Sequence, residues 1–262
     1  MMQKILICIP FHDNPGRICY LKMLVARFLN EYRKVFEEVR IIIDTNRLDS
    51  LVEEESFREA IADGRIRVVV HTRLAHPFHL TWCHRAHIKE YLEDFDVFMY
   101  VEDDIDLPVK NMVRYLENME MLQEGMEDVV PVFLRVEKKG DVRYNSDAEE
   151  IQEIPRSEIR TVGGRRFVTN LGHPLPYHGL WICPRERLRE WMPENFVRWE
   201  TSREMAASFL IWEKKKRHYL ELEEDGDGVA ETSLCYHLPN NYAYSDGRLG
   251  NILLDDVIRI LE

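Results

Sequence analysis

The sequence predicts an α/β fold in which a mostly parallel central sheet is flanked by helices. Two observations carry that expectation. Short apolar runs alternate with helical patterns through the first hundred residues, the rhythm of β-α-β units whose strands lie parallel. The runs themselves (KILICIP, VRIIID, RIRVVVH and VFMYV) are continuously apolar, as strands covered on both faces are. A chain of 262 residues, 45% hydrophobic and 31% charged, can bury such a core without disulfide staples.

The first strand is expected over residues 4–10. Residues 15–32 carry apolar side chains at helical spacing: Ile18, Leu21, Leu24, Val25, Phe28 and Leu29. A second strand follows over 39–44, a polar helix over 48–62 and a third strand over 65–71. Residues 80–92 are helical, and the fourth strand, 97–101, runs into Glu-Asp-Asp. After Pro108 a helix is expected to about Glu124, then a strand over 129–136. The charged stretch 137–169, with its Gly163-Gly164 pair, reads as loops or a β-ribbon. Beyond it come a short strand at 180–183 and a short helix at 185–191. A helix over 201–216 has Thr201 or Ser202 as its cap and a basic last turn. A solvated loop over 221–228, a short strand over 233–238 and a terminal helix over 252–261 complete the chain. No repeat, low-complexity segment or linker interrupts it, which points to a single domain.

Lys and Arg number 35 against 47 Asp and Glu, a formal charge of −12. Such a field repels nucleic acid and anionic membranes, so nucleic-acid binding is not expected. A net-acidic enzyme with an anionic substrate needs a local basic pocket or a metal ion. Cys8, Cys19, Cys83, Cys183 and Cys235 are scattered with no CxxC pair, the pattern of reduced thiols in a cytoplasmic protein. The N-terminal residues read as a strand and not as a signal peptide. No run reaches the ~18–20 apolar residues of a membrane span, so any membrane contact would be peripheral.

Ligands of parallel α/β sheets bind outside the carboxyl ends of the strands. That rule singles out residues 11–14, 44–46, 72–76 and 102–106, all polar. The strongest of these is Tyr100-Val-Glu102-Asp103-Asp104-Ile-Asp106-Leu-Pro108. Clustered carboxylates repel unless a cation or hydrogen bonds offset them. At a strand end they make a seat of hard oxygen ligands suited to Mn²⁺ or Mg²⁺. The competing reading is a solvated acidic turn that caps the next helix.

YVEDDIDLPVKNMVRYL resembles the metal-binding segment of GT-A glycosyltransferases, and most of all the Glu-Asp-Asp version in the N-acetylglucosaminyltransferase that begins complex N-glycans. The resemblance implies a GT-A-like, Rossmann-like single domain, with residues 1–106 as the nucleotide-sugar and metal half and 107–262 as the acceptor half. It implies Asp104 as the ligand of a Mn²⁺ or Mg²⁺ ion, with Glu102 and Asp103 on the donor or on metal-bound water. It places Pro10, Phe11 and His12 around the nucleoside base, and Asp44, with Asn46 beside it, on the uracil or ribose. His237, in the Cys-Tyr-His-Leu-Pro segment, matches a further metal ligand.

Residues 71–87 hold five histidines, but their spacing fits no familiar zinc signature. Arg85 is the candidate donor-phosphate contact there, against the alternative of a surface charge. The Gly-, Pro- and aromatic-rich segment with Tyr177, His178, Gly179 and Trp181 suits carbohydrate and is the expected acceptor site. An inverting reaction needs a base on the acceptor hydroxyl, for which Glu200 is first choice and Glu204 second. The expected function is metal-dependent transfer of a sugar from a nucleoside-diphosphate sugar, UDP-sugar first, to a glycan or glycolipid. The rivals are a metal-dependent nucleotidyl- or phosphoryl-transfer enzyme and a non-catalytic carbohydrate-binding module. No P-loop, GxGxxG, GxSxG or HExxH is present.

Overall fold

The computed structural model describes residues 3–123, 129–169, 177–198, 202–209, 216–243 and 249–262. The chain divides into two compact units, one of residues 1–104 and 179–209, the other of 105–178 and 210–262.

The first unit opens with β1 (Lys4–Phe11), buried from Ile5 onward. Helix α1 (Ile18–Asn30) buries Leu21, Leu24, Val25 and Phe28, the i, i+3, i+4, i+7 stripe that its sequence lays down. Strand β2 (Glu38–Thr45) follows. The single polar helix expected over 48–62 is instead two, α2 (Asp49–Glu53) and α3 (Glu55–Ala62), because Glu54 between them takes an extended backbone (φ −87°, ψ 116°). Then come β3 (Ile66–Val70), α4 (Leu80–Glu90) and the wholly buried β4 (Val97–Val101). Strands β1 to β4 are all parallel.

In the second unit a two-residue strand β5 (Ile105–Asp106) leads to α5 (Val109–Gln123), which starts directly after Pro108. The single strand expected over 129–136 is split in two. β6 (Val129–Pro131) and β7 (Leu134–Lys139) belong to different sheets, divided at Val132-Phe133. Pro131 has no N–H to continue a ladder, so the chain changes sheets there. The ribbon expected over 137–169 is β8 (Val142–Asn145), β9 (Gln152–Pro155), β10 (Ile159–Val162) and β11 (Arg165–Thr169).

The chain then supplies the first unit with β12 (Leu180–Pro184), α6 (Arg185–Trp191) and α7 (Arg203–Ala207). β12 pairs antiparallel with β4 and completes a five-stranded sheet of order β12-β4-β1-β2-β3. The helix expected over 201–216 is much shorter in its described part. Ser208 leaves the helical region (φ −115°, ψ 22°), and residues 210–215 lie outside the described residues. The second unit ends with β13 (Arg217–Glu221), β14 (Leu234–His237), β15 (Ile252–Leu253) and β16 (Ile258–Leu261). Its sheets run β10-β11-β13-β6, β15-β8-β7-β14-β5 and β16-β9. The terminal helix expected over 252–261 is therefore wrong: that segment is strand, 3₁₀ turn and strand. Ile258, Arg259 and Ile260 alternate buried, exposed and half-buried, and β16 pairs parallel with β9 along its length.

Candidate functional site

The sheet order of the first unit reverses at β1. From β1 the chain steps outward to β2 and β3, then returns to β4 on the other side. Ligand sites of doubly wound sheets form at such a reversal, beyond the carboxyl ends of the strands. A cleft of about 360 Å³ lies there. Pro10, His12 and Asn14 enter it from the end of β1, and Glu102 and Asp103 from the end of β4. Pro77 and Phe78 enter from the 3₁₀ turn before α4 and Thr81 from its first turn, and Arg17 and Arg203 supply its cations.

The acidic triplet is held by Arg17. Its Nη2 donates to Asp103 Oδ1 at 2.5 Å and to Asp104 Oδ2 at 2.6 Å, and its Nε donates to Asp103 Oδ2 at 3.0 Å. Burial works against the Arg17 charge, but the two carboxylates outweigh it and keep the guanidinium firmly protonated. Burial, chiefly, with the neighbouring charges of Asp104 and Glu102, outweighs the pull of Arg17, and the Asp103 carboxyl is pushed up to about 7. The backbone of the triplet is braced as well, since Glu102 N–H donates to Gly179 O at 2.8 Å. Gly179 has φ 66°, a conformation open to glycine at little cost.

The raised Asp103 value has a consequence for stability. An acid whose folded pKa exceeds its unfolded value binds more protons folded than unfolded between the two, so stability falls as pH rises through that window. From about pH 4 to pH 7 the metal-free wild type should lose stability that Asp103→Asn retains. Chemical denaturation at several pH values, with EDTA present, checks this; parallel pH dependences would contradict it.

Glu102 and Asp103 line the cleft and the buried Asp104 does not, but as hard oxygen donors the three carboxylates are of the kind that suits Mn²⁺ or Mg²⁺.

Several expected contacts are placed elsewhere. Phe11 is fully buried, because strand alternation sends Pro10 and His12 to the cleft and Phe11 into the core. Asp44 is 1% exposed and is met by His71 Nε2 at 2.7 Å and His87 Nε2 at 3.0 Å. Asn46 accepts from the Asp13 N–H at 2.7 Å, and so braces the β1–α1 turn. Neither Asp44 nor Asn46 lines the cleft.

Arg85 is neither a donor contact nor a surface charge. It is 2% exposed, 4.0 Å from the Trp82 ring centroid, 4.9 Å from that of Phe196 and 5.2 Å from that of Phe209. Its charge is met by aromatic faces and by the Phe196 carbonyl, at 3.3 Å from Nη1. Trp181 is 3% exposed and lies against His84 and Phe209, a core position of the first unit.

Asp44, His71 and Cys83 present ligand atoms within 4.8 Å of one another. His71 uses Nε2 on Asp44 and turns Nδ1 to Cys83 Sγ at 3.8 Å. Each residue offers one such atom, so the cluster has the donors for a metal ion; without one it is a hydrogen-bonded brace. Burial, followed by the Asp44 charge, pushes the Cys83 thiol well up, so it is held as the neutral thiol.

Of the two candidate bases, Glu200 lies outside the described residues. Glu204 opens α7 and accepts from Ser202 Oγ at 2.8 Å. Partial burial raises its carboxyl, but its own backbone N–H, the Ser202 hydroxyl and Arg203 outweigh that and hold it below the ordinary value.

In the second unit, Tyr177 stacks beneath buried Arg135 at 5.3 Å, and His178 stands edge-on to Phe133. His237 is 6% exposed and its Nδ1 bonds Glu137 Oε1. Asp104 and His237, the two expected metal ligands, fall in different units.

Sequence reasoning missed Arg17, Arg203 and Phe78. Phe78 is 45% exposed with Arg203 5.2 Å over its ring, a polar-rimmed apolar wall to the cleft. Nothing in the sequence separates these two arginines from the chain's others. The one available signal is position, since Arg17 follows β1 and Arg203 opens a helix.

A mostly parallel, doubly wound sheet with an acidic triplet beyond its reversal point is a GT-A-like, Rossmann-like α/β arrangement. No protein-family model and no curated protein matches the sequence. Among solved structures, the crystal structure of GalNAc-T7 with UDP, GalNAc and Mn²⁺ is similar over 90% of this chain, at 13% identity and TM-score 0.53. This chain spans 43% of that protein's length. A mannosyltransferase from Pyrobaculum calidifontis, in complex with GDP-Man and Mn²⁺, is similar over 91% of this chain and 57% of its own, at 9% identity and TM-score 0.48. The likeness to GalNAc-T7 supports the fold alone.

Proposed function

We propose that this protein is a metal-dependent glycosyltransferase. It moves a sugar from a nucleoside-diphosphate sugar, UDP-sugar first, to a hydroxyl of a glycan or glycolipid. The observation that carries this reading is the cleft at the reversal point, where Glu102, Asp103, two arginines and the end of β1 converge, with Asp104 joined to the same Arg17. The Mn²⁺- and UDP-bound state of the GalNAc-T7 structure supports it at the level of the fold.

In this reading Pro10, His12 and Asn14 receive the nucleoside, and Phe78 gives it an apolar wall. Glu102, Asp103 and Asp104 hold the divalent ion, which supplies charge stabilisation for the departing diphosphate. Arg203 adds a second positive charge on the cleft. Glu200, or failing it Glu204, takes the proton of the acceptor hydroxyl in an inverting transfer. Tyr177 and His178 are assigned to the acceptor.

His237 is kept as a candidate ligand. Its Nδ1 is engaged by the Glu137 carboxylate, a partner of the kind that commonly orients metal-binding imidazoles.

The test is thermal unfolding with UDP, GDP, CDP, dTDP and ADP, each with Mn²⁺ and with EDTA. One nucleotide at 100 times its dissociation constant should stabilise by about 2.7 kcal/mol, or roughly 5–10 °C for a chain of this size. The shift should vanish in EDTA. No shift with any of the five would overturn the donor-site reading. Release of pyrophosphate from a nucleoside triphosphate would favour nucleotidyl transfer instead.

A further inference from the structure

We propose that Arg17 is a built-in counter-ion of the acidic pair, and that its guanidinium and a divalent cation compete for the same carboxylate oxygens. The proposal deepens the metal-dependent reading above and rests on it.

Arg17 already uses both oxygens of Asp103 and one of Asp104, through three contacts of 2.5 to 3.0 Å. Those oxygens are the hard ligands that an octahedral ion would need at about 2.0–2.2 Å. An ion that close to them would stand beside Nη2 with like charge, against two buried carboxylates that leave little screening on that side. An ion held through these three oxygens and the present seating of Arg17 therefore exclude each other.

The electrostatics favour an exchange over a permanent pair. One guanidinium faces two carboxylates, with Glu102 adjoining, so the site keeps net negative charge after Arg17 is seated. A divalent ion neutralises it more fully.

Arg17 is also free to leave. Its side chain is 37% exposed and lines the cleft. It stands at the N-cap of α1 and makes no side-chain capping bond, so withdrawing it breaks no helix contact. The consequence is that Arg17 lowers the affinity of the free protein for metal, and each ion that binds sends a positive charge into the cleft.

The experiment titrates the full chain with Mn²⁺ alone, without nucleotide, and follows the loss of the free-ion electron paramagnetic resonance signal. Arg17→Met should bind Mn²⁺ at least 10-fold more tightly than wild type. Arg17→Lys keeps the charge but loses the fork, and should bind about threefold more tightly; it also serves if the Met variant does not fold. Equal or weaker binding by the folded variants overturns the competition. If wild type and variants bind equally tightly and Asp104→Ala abolishes binding, the competition fails while the metal site stands. If none of them binds Mn²⁺, the competition and the metal-dependent reading fall together.

Discussion

Asp104→Ala is expected to abolish Mn²⁺-dependent nucleotide binding while the protein stays folded. The first half of that expectation follows from the donor set: one of three carboxylates on the ion is removed, and a bound metal is worth several kcal/mol of charge stabilisation, so donor affinity should fall roughly 10²-fold or more. The second half follows from Arg17. With Asp104 gone, Arg17 keeps both of its contacts to Asp103, and the like-charge repulsion between two buried neighbours disappears. Stability should therefore change by no more than about 1 kcal/mol. Calorimetric titration with the nucleotide that stabilises wild type, with Mn²⁺ and with EDTA, checks the first half, and a melting curve checks the second. Unchanged Mn²⁺-dependent affinity would remove Asp104 from the metal site.

Glu137→Ala should be the most damaging single change in the second unit. Glu137 is fully buried on β7. One carboxylate oxygen meets His237 Nδ1, and the other accepts the backbone N–H groups of Tyr242 and Ala243. Alanine strands a buried imidazole and two half-buried backbone donors. Removing one partner of a buried polar pair costs about 3–5 kcal/mol. For a chain of this size that lowers the unfolding temperature by roughly 10 °C. Glu137→Gln keeps an acceptor oxygen and should lose about half as much. A drop under about 2 °C for the alanine variant, measured by scanning calorimetry, would show that water or a rearranged loop replaces the carboxylate.

The parallel sheet was legible because its strands are covered on both faces. Ile5–Ile9 and Val97–Val101 had to be apolar at every position, and no other soluble element of that length does. The acidic triplet was legible for a related reason: charge directly abutting a fully buried strand marks a strand end. The C-terminal segment was not legible. Leu254, Val257, Ile258 and Leu261 satisfy helical spacing, yet Ile258 and Ile260 satisfy strand alternation equally well, and pairing with β9 decided between them. Arg85 misled because a helical arginine looks the same in sequence whether water or an aromatic cage surrounds it. The acceptor segment divides at its glycine: Tyr177 and His178 belong to the second unit, while Gly179 and Trp181 belong to the first. Arg17 escaped because its partners are some 86 residues away, and a single sequence carries no sign of that pairing.

The strand beside β4 arrives late in synthesis. β4 ends at Val101, but its antiparallel neighbour β12 begins only at Leu180, after most of the second unit has been translated. At about 5–20 residues per second, a ribosome takes on the order of 4–16 s to make the intervening chain. During that interval the nascent sheet exposes the unpaired backbone of Val97–Val101, the most apolar edge it has, and such edges recruit other strands. The longer translation of the intervening chain takes, the longer that edge stands open to other strands before β12 covers it.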